Sequence, residues 1–364
     1  MKKLLTAKYK RYILYIEFLA LILALPLAYN FIPLNKGTKT FYISSSNIDC
    51  VIQTLKINGY EVTAIDKWML NLKKIPDEGW YSIQPNKYGR FLFFQHLYKQ
   101  KTNDLMDVVV YAGETKNELT ARLANDMKLE QKKLLSTYNM LAYFQEGDIL
   151  SQRYTVARKA DEDTTMKYLF LISGREIEKF NKEYFSKTPS ILELKVIYII
   201  ASIIQKESNS VDEMPLISSV IYNRLEKNMR LQMDGTLNYG EFSHTLVTPE
   251  RIKNDKSAYN TYKHKGLPPH PLSTITLDAL KASSKPAQSD YLFFMLNQNG
   301  THDFSAEYTK HLSNIRSFRI YQREKKMKEE EELKEIKKLL IEPLVEKLPY
   351  EDLDIEIDWE KVKM

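Results

Sequence analysis

Residues 190–208 read SILELKVIYIIASIIQKES, and this stretch decides the architecture. Ser190 followed three residues later by Glu193 forms a capping box, which specifies a helix start. From Val196 to Ile204 every residue but Ser202 is apolar, so the helix has no polar face and belongs deep in a core. It then ends in Gln205-Lys206-Glu207-Ser208. Desolvation raises the pKa of a carboxyl at the exit of a buried helix, and the negative end of the helix dipole pushes the same way. A carboxyl that keeps its proton near neutrality is what a general acid for glycosidic cleavage requires. Residue chemistry alone leaves a second reading open, in which Glu207 is a solvated helix-end residue.

Helical periodicity surrounds this segment. TTMKYLFLISGREIEKFNKEYF (164–185) precedes it and DEMPLISSVIYNRLEKN (212–228) follows. Gly, Pro, Asn and Asp then punctuate 231–275, a loop-rich stretch. LDALKASSKP is a helix stopped at Pro286, SDYLFFML (289–296) a buried strand, and the charged run from Ser305 one long helix ending near Pro343. The last twenty residues are acidic and expected to be mobile. Upstream, DVVVYAG (107–113) reads as a strand and ETKNELTARLAND as a capped helix with Leu119 and Leu123 facing inward. KLEQKKLLSTY gives another helix and DILSQRYTVAR another strand, completing a small α/β module. Nearer the amino terminus, TFYISS is a strand, and NIDCVIQTLKINGYEVTA predicts helix, Asn-Gly turn and strand.

Residues 12–34, YILYIEFLALILALPLAYNFIPL, are almost wholly apolar. As a helix they reach about 34 Å, enough to cross a bilayer core of about 30 Å. Lys2, Lys3, Lys8, Lys10 and Arg11 stand before the run, with only Lys36 and Lys39 close behind it. The positive-inside rule then keeps residues 1–11 in the cytoplasm and places the rest of the chain outside, as an uncleaved single-pass protein.

Composition narrows the function classes. Glycine is scarce at 11 of 364 residues, and neither a G-x-G-x-x-G nor a G-x-x-x-x-G-K-[ST] motif occurs. The formal charge is +6, but residues 322–364 carry 10 Lys/Arg against 14 Asp/Glu, which leaves +10 upstream. That excess suits an anionic partner such as a membrane surface or wall polymer. No RNA-binding signature or zinc-finger spacing is present, so nucleic acid is not an expected partner. The single cysteine, Cys50, excludes intramolecular disulfides and Cys-based zinc sites. His244, His264, His270, His302 and His311 cluster late in the chain but show no H-E-x-x-H or H-x-H spacing. No metal site and no cofactor are expected.

Five blocks of sequence carry a family resemblance: ASIIQKES (201–208), PLISSVIYNRL (215–225), LQMDGTLNYG (231–240), YNTYKHKGLPPHPLS (259–273) and NGTHDFS (299–305). In this order they resemble the endolytic murein transglycosylases of the MltG (YceG-like) family, over about residues 40–315. The resemblance implies an α+β protein: a transmembrane helix at 12–34, a membrane-proximal α/β region at 35–104, a LysM-like module at 105–158, a catalytic domain at 159–320 and a charged helical tail at 321–364. It implies a bacterial inner-membrane enzyme facing the periplasm, acting on peptidoglycan glycan strands beside peptidoglycan synthases. It places the catalytic acid on Glu207. The implied reaction cleaves the β-1,4 bond between N-acetylmuramic acid and N-acetylglucosamine without water, leaving 1,6-anhydro ends.

Asn223, Gln232, Asp234, Tyr259, Asn260 and Tyr262 fall in the matching blocks as candidate substrate-binding residues, able to hold acetamido and hydroxyl groups or to stack on sugar faces. Each also has a purely structural reading, loop amides for Asn260 and Asp234 above all. Arg224 either orients Glu207 or pairs with a surface acid. The chain departs from the pattern at Gly235, where proline is usual and glycine is expected to loosen the loop. His270 stands where glycine is usual, and SQRYTV (151–156) replaces a Phe-Pro-Asp-Thr-Tyr segment. The rival to an enzyme is a membrane-anchored, peptidoglycan-binding adaptor without catalysis.

Overall fold

The computed structural model describes residues 2–32, 34, 37–72, 74–83 and 89–345, with side chains described between 9 and 337 apart from Pro26 and the gaps in those ranges. The acidic last twenty residues lie outside them, apart from Val345. The chain is a mixed α+β protein, with three two-stranded antiparallel sheets among the described residues. It divides into two compact units, Met1–Ala287 and Gln288–Met364. That division falls inside the 159–320 stretch expected as one domain.

The first unit begins with helix α1 (Lys2–Phe31). Its segment Tyr9–Phe31, with a mean hydropathy of 2.0, is long and apolar enough to cross a membrane and exposes nearly all its large side chains. Strand β1 (Thr40–Ile43), α2 (Ile48–Ile57), α3 (Ala64–Asn71), β2 (Gly79–Ser82) and α4 (Arg90–His96) follow. The strand expected after the Asn-Gly turn does not form. Thr63 instead caps α3, with its hydroxyl accepting from Asp66 N–H and the Asp66 side chain accepting from Thr63 N–H. That local capping box outcompetes extended pairing. The core of this region includes Phe41, Val51, Leu55, Tyr81 and Phe94, and Tyr29 of α1 inserts into it. Tyr29 donates to Asp66, which also receives Arg90 Nε at 2.9 Å and Nη2 at 2.6 Å. Arg90 and Asp66 are both buried, so the Tyr29 hydroxyl ties α1 to a buried ion pair between α3 and α4.

The next module runs β3 (Leu105–Val109), α5 (Lys116–Met127), α6 (Gln131–Leu141), β4 (Arg153–Ala157), with β3 and β4 antiparallel and Leu105 facing Ala157. Thr115 and Glu118 cap α5, and Leu119 and Leu123 are fully buried. Helix α7 (Glu162–Tyr184) lends Met166 and Leu169 to the same core. Then come α8 (Ile191–Glu207), α9 (Met214–Glu226), the short α10 (Pro249–Asn254) and α11 (Leu277–Ser284). Ile197 to Ile204 are buried, whereas Val196, just before this run, remains 37% exposed.

The extended segment 272–276 joins the module to α8. Thr274 N–H donates to Glu114 O at 2.7 Å, Gly113 N–H to Thr274 O at 3.1 Å, and Ser151 N–H to Ile275 O at 2.8 Å. On its other side, Leu272 N–H donates to Ser202 Oγ, and Thr276 donates twice to Gln205 Oε1. Backbone groups that a loop would leave unpaired in the interior are thereby satisfied, as burial requires.

The second unit holds β5 (Phe293–Leu296), β6 (His302–Ser305) and α12 (Tyr308–Val345). The stretch expected as a buried strand does form β5, but its residues are only partly buried and Leu296 is exposed. A two-stranded hairpin packed on one helix covers too little of either face to bury it.

Removing one partner of the Asp66–Arg90 pair strands the other charge in the interior, which costs about 3–5 kcal/mol. Asp66→Ala should lower the denaturant midpoint of the purified chain accordingly; an unchanged midpoint would show the pair to be solvated.

Candidate active site

Helix α8 delivers Glu207 at its last position. Ser190 Oγ accepts from Glu193 N–H at the other end, and the helix terminates because Ser208 turns extended, its N–H closing on Ile204 O at 2.9 Å. Glu207 keeps part of its surface accessible, but protein surrounds its carboxyl. Burial pushes that group up to about 7, aided by the Asp234 charge and opposed by the Gly235 N–H and by Arg224.

A short turn, the loop carrying Thr261 and Tyr262, and helix α9 surround the carboxyl. A 3-10 turn, Asp234–Leu237, lies against it, with Gly235 N–H donating to Glu207 Oε1 at 2.6 Å. Thr261 holds this turn from behind. Its backbone oxygen accepts Gln232 N–H at 3.2 Å, its hydroxyl accepts Met233 N–H at 3.1 Å, and that hydroxyl lies 2.9 Å from the buried Thr236 hydroxyl. On α9, the buried Arg224 donates to the backbone oxygens of Arg230 at 3.1 Å and Leu231 at 2.5 Å. Its guanidinium therefore fixes the approach to the turn and adds a positive charge near Glu207. Tyr262 donates to Asp234 Oδ1 at 2.6 Å, and burial together with this bond raises the phenol's own pKa.

The structure distributes the sequence-expected residues unevenly. Glu207, Asp234 and Tyr262 form one linked group. Tyr259 stacks on Tyr239 with ring centroids 4.1 Å apart and planes 13° from parallel, a half-buried aromatic pair. Gln232 is exposed and adopts a left-handed φ of 52°, a conformation non-glycine residues rarely hold outside constrained sites. Asn223 is half-buried on α9 beside Arg224. Asn260 is fully buried. Its amide donates at 2.8 Å to both Ile252 O and Asp255 O and accepts Tyr262 N–H at 3.1 Å, so it shapes the loop that carries Tyr259 and Tyr262.

Two features escaped sequence reasoning. Gly235 does not loosen its loop: it is buried, and a Cβ there would lie 2.7 Å from Lys206 Cβ and 2.9 Å from Glu207 Oε1. Lys206, next to Glu207, donates to Ser243 Oγ at 3.0 Å, and burial lowers its pKa. The order Lys-Glu at a buried helix end was a signal for the second, and nothing in the local pattern announced the first. Among the departures, His270 is half-buried, its pKa lowered by burial, with no hydrogen-bond partner at Nδ1. Among the described residues no three His, Cys, Asp or Glu side chains gather to hold a metal.

The model of the YceG-like family matches residues 43–317. An endolytic murein transglycosylase of Bacillus subtilis (strain 168) is 29% identical over 152 residues, 42% of this chain and 42% of the relative. One from Streptococcus pneumoniae (strain D39) is 28% identical over 158 residues, 42% of this chain and 28% of the relative. The matched part thus spans less than half of either relative. The crystal structure of a YceG-like protein from Listeria monocytogenes superposes with a TM-score of 0.50 at 24% identity, covering 75% of this chain and 97% of that one, a likeness of fold.

A carboxyl whose folded pKa stands above its unfolded value destabilises the folded state as pH rises through that interval. For Glu207 the penalty grows from the ordinary value of 4.5 to about 7 and is constant above. Glu207→Gln removes it. Melting curves should show the variant more stable than wild type at about pH 8 and nearly equal to it at about pH 4. Equal melting at both would mean that the carboxyl titrates normally.

Proposed function

This chain belongs to the YceG-like family, and on that premise we propose that it is an endolytic lytic transglycosylase of peptidoglycan. The relatives' common description as endolytic murein transglycosylases supports this reading. The observation that carries it is the single carboxyl of Glu207, raised to about 7 under the Gly235 N–H at the end of a buried helix.

A group with that pKa is divided between its two forms near neutrality, so it can serve first as acid and then as base. Glu207 donates its proton to the oxygen leaving from C1 of N-acetylmuramic acid as the glycosidic bond breaks. The carboxylate then accepts the proton of the muramyl C6 hydroxyl, whose oxygen bonds to C1 and closes the 1,6-anhydro ring. No water is consumed, and the enzyme ends in its starting protonation state. Ordinary glycosidases need a second carboxylate to activate water or attack C1. Here the attacking oxygen belongs to the substrate, and intramolecular attack contributes an effective-molarity gain. Asp234 acts through its charge: engaged with Tyr262, it raises the proton affinity of Glu207.

The exposed Gln232 and the Tyr239–Tyr259 pair are assigned to the sugar groove, as amide and stacking surface. The β3-α5-α6-β4 order of residues 105–158 is read as a LysM-like glycan-contacting module, and α1 as the membrane anchor holding the rest on the periplasmic side, where peptidoglycan synthases work.

Incubation with uncrosslinked glycan strands followed by mass spectrometry tests the assignment. Wild type should generate 1,6-anhydromuramyl ends, and Glu207→Gln should lose at least about 10²–10⁴-fold in rate while still binding strands. Reducing ends would instead mean a water-using hydrolase. Binding without cleavage by wild type would mean an adaptor.

A further inference from the structure

In the second unit, helix α12 carries Asn314, Ser317, Phe318 and Tyr321 at spacings of about one helical turn, which puts them along one face. The turn between β5 and β6 reads Asn297-Gln298-Asn299-Gly300. Together with Asp303 of β6, this face and this turn line a cavity of about 190 Å³. The turn is tightly built. Asn297 N–H donates to Thr301 O at 2.8 Å, and its side-chain oxygen accepts Asn299 N–H at 2.9 Å and Thr301 N–H at 3.2 Å. Gly300, with a φ of 79°, supplies the left-handed position. Asn297 Nδ2 donates to Asp303 Oδ1 at 2.9 Å and so fixes the carboxylate in the cavity wall. The side chains of Gln298, Asn314 and Ser317 take no part in this scaffold and make no hydrogen bond among the described residues.

The lining selects a class of ligand. It holds no Lys, Arg or His, so nothing in it neutralises a phosphate or carboxylate, and Asp303 repels both. A single acidic side chain is too few for a calcium site. An apolar ligand would leave the amides and the hydroxyl without partners. The ligand that fits is uncharged, rich in hydroxyl or amide groups, and apolar on one face. We propose that the cavity holds one N-acetylglucosamine residue of a glycan strand: Gln298, Asn314 and Asp303 bind its hydroxyl and acetamido groups, and Phe318 and Tyr321 lie against the apolar face of its ring. Those two aromatic rings are half-buried on α12, with centroids 6.4 Å apart and planes 32° from parallel. A side-chain amide offers both a donor and an acceptor to an acetamido group, and a carboxylate accepts strongly from sugar hydroxyls. N-acetylglucosamine lacks the lactyl carboxyl of muramic acid, which Asp303 would oppose. The glycan strand as the source of the sugar rests on the reading of the chain as a peptidoglycan transglycosylase; the class of ligand rests on the lining alone.

Photolabelling of the full chain tests the site. Chitotetraose, a β-1,4-linked N-acetylglucosamine oligomer, is given a diazirine group and irradiated with the protein, and the adducts are mapped by mass spectrometry. Adducts should fall within residues 297–303 and 314–321. Unlabelled chitotetraose should displace them, whereas maltotetraose, which has no acetamido groups, should not. With the probe below saturation, Asn314→Ala and Gln298→Ala should each lower the adduct yield about 2- to 10-fold, the loss expected for one neutral hydrogen bond. Gln298 is exposed on its turn, so that variant tests the site without threatening the fold. Adducts missing from both stretches, unchanged in both variants, or displaced equally by maltotetraose would overturn the proposal. Cleavage assays on uncrosslinked strands keep the two readings apart. A protein that cleaves strands but takes no label here keeps its function and loses this subsite. Label here on a protein that cleaves nothing would uphold the subsite and reject the transglycosylase reading.

Discussion

Helix α8 buries eight consecutive residues, Ile197 to Ile204, and one turn later presents a carboxyl group. Each large apolar side chain in that run contributes about 1.5–3 kcal/mol on burial, so the helix is anchored far more strongly than its charged end can oppose. The site follows from that imbalance. Glu207 is carried to a place where protein replaces water around the carboxyl, and its proton affinity rises because the helix cannot retreat to solvate it.

The rest of the first unit keeps that end from fraying. Ser202 and Gln205, two polar side chains on α8, both accept hydrogen bonds from segment 272–276, which is itself paired to the small module at 113–114 and 151. Thr261 and Thr236 do the same for the turn that covers the carboxyl, sharing a buried hydroxyl contact between two loops. Loops that would otherwise wander are thereby fixed to within hydrogen-bond tolerance of Glu207, the condition for electrostatic preorganisation. At the other end of the unit, Tyr29 and the Asp66–Arg90 pair tie α1 to its own small core, so the apolar helix is joined to the α/β region by side chains as well as by the chain.

Much of this was legible in the sequence, for a local reason. The capping boxes at Ser190 and Thr115 and the apolar run before Glu207 act within a few residues, and each appears where the pattern put it. The stretch after Gly59 failed because Thr63 and Asp66 form a cap that competes with a strand, and the two signals overlap at Thr63 and Ala64. Between 65 and 104 the sequence reading named no elements beyond an α/β region, and there the buried Asp66–Arg90 pair joins positions 24 apart in sequence. Within the site, the carboxyl at a buried helix end could be read from one helix alone. The contact between Gly235 and that carboxyl could not, since the two residues stand 28 apart in sequence and nothing local pairs them. Asn260 and Arg224 were ambiguous for the same reason: their partners are backbone oxygens of loops whose course no local pattern specifies.

The central claim is that the Glu207 carboxyl holds its proton near neutrality in the free protein. A ¹³C titration of glutamate side-chain carboxyls, with Glu207→Gln to assign the resonance, measures it without reference to any substrate. The account predicts a midpoint of about 7. A midpoint near the ordinary value of 4.5 would contradict it, and with it the use of this one carboxyl as both acid and base.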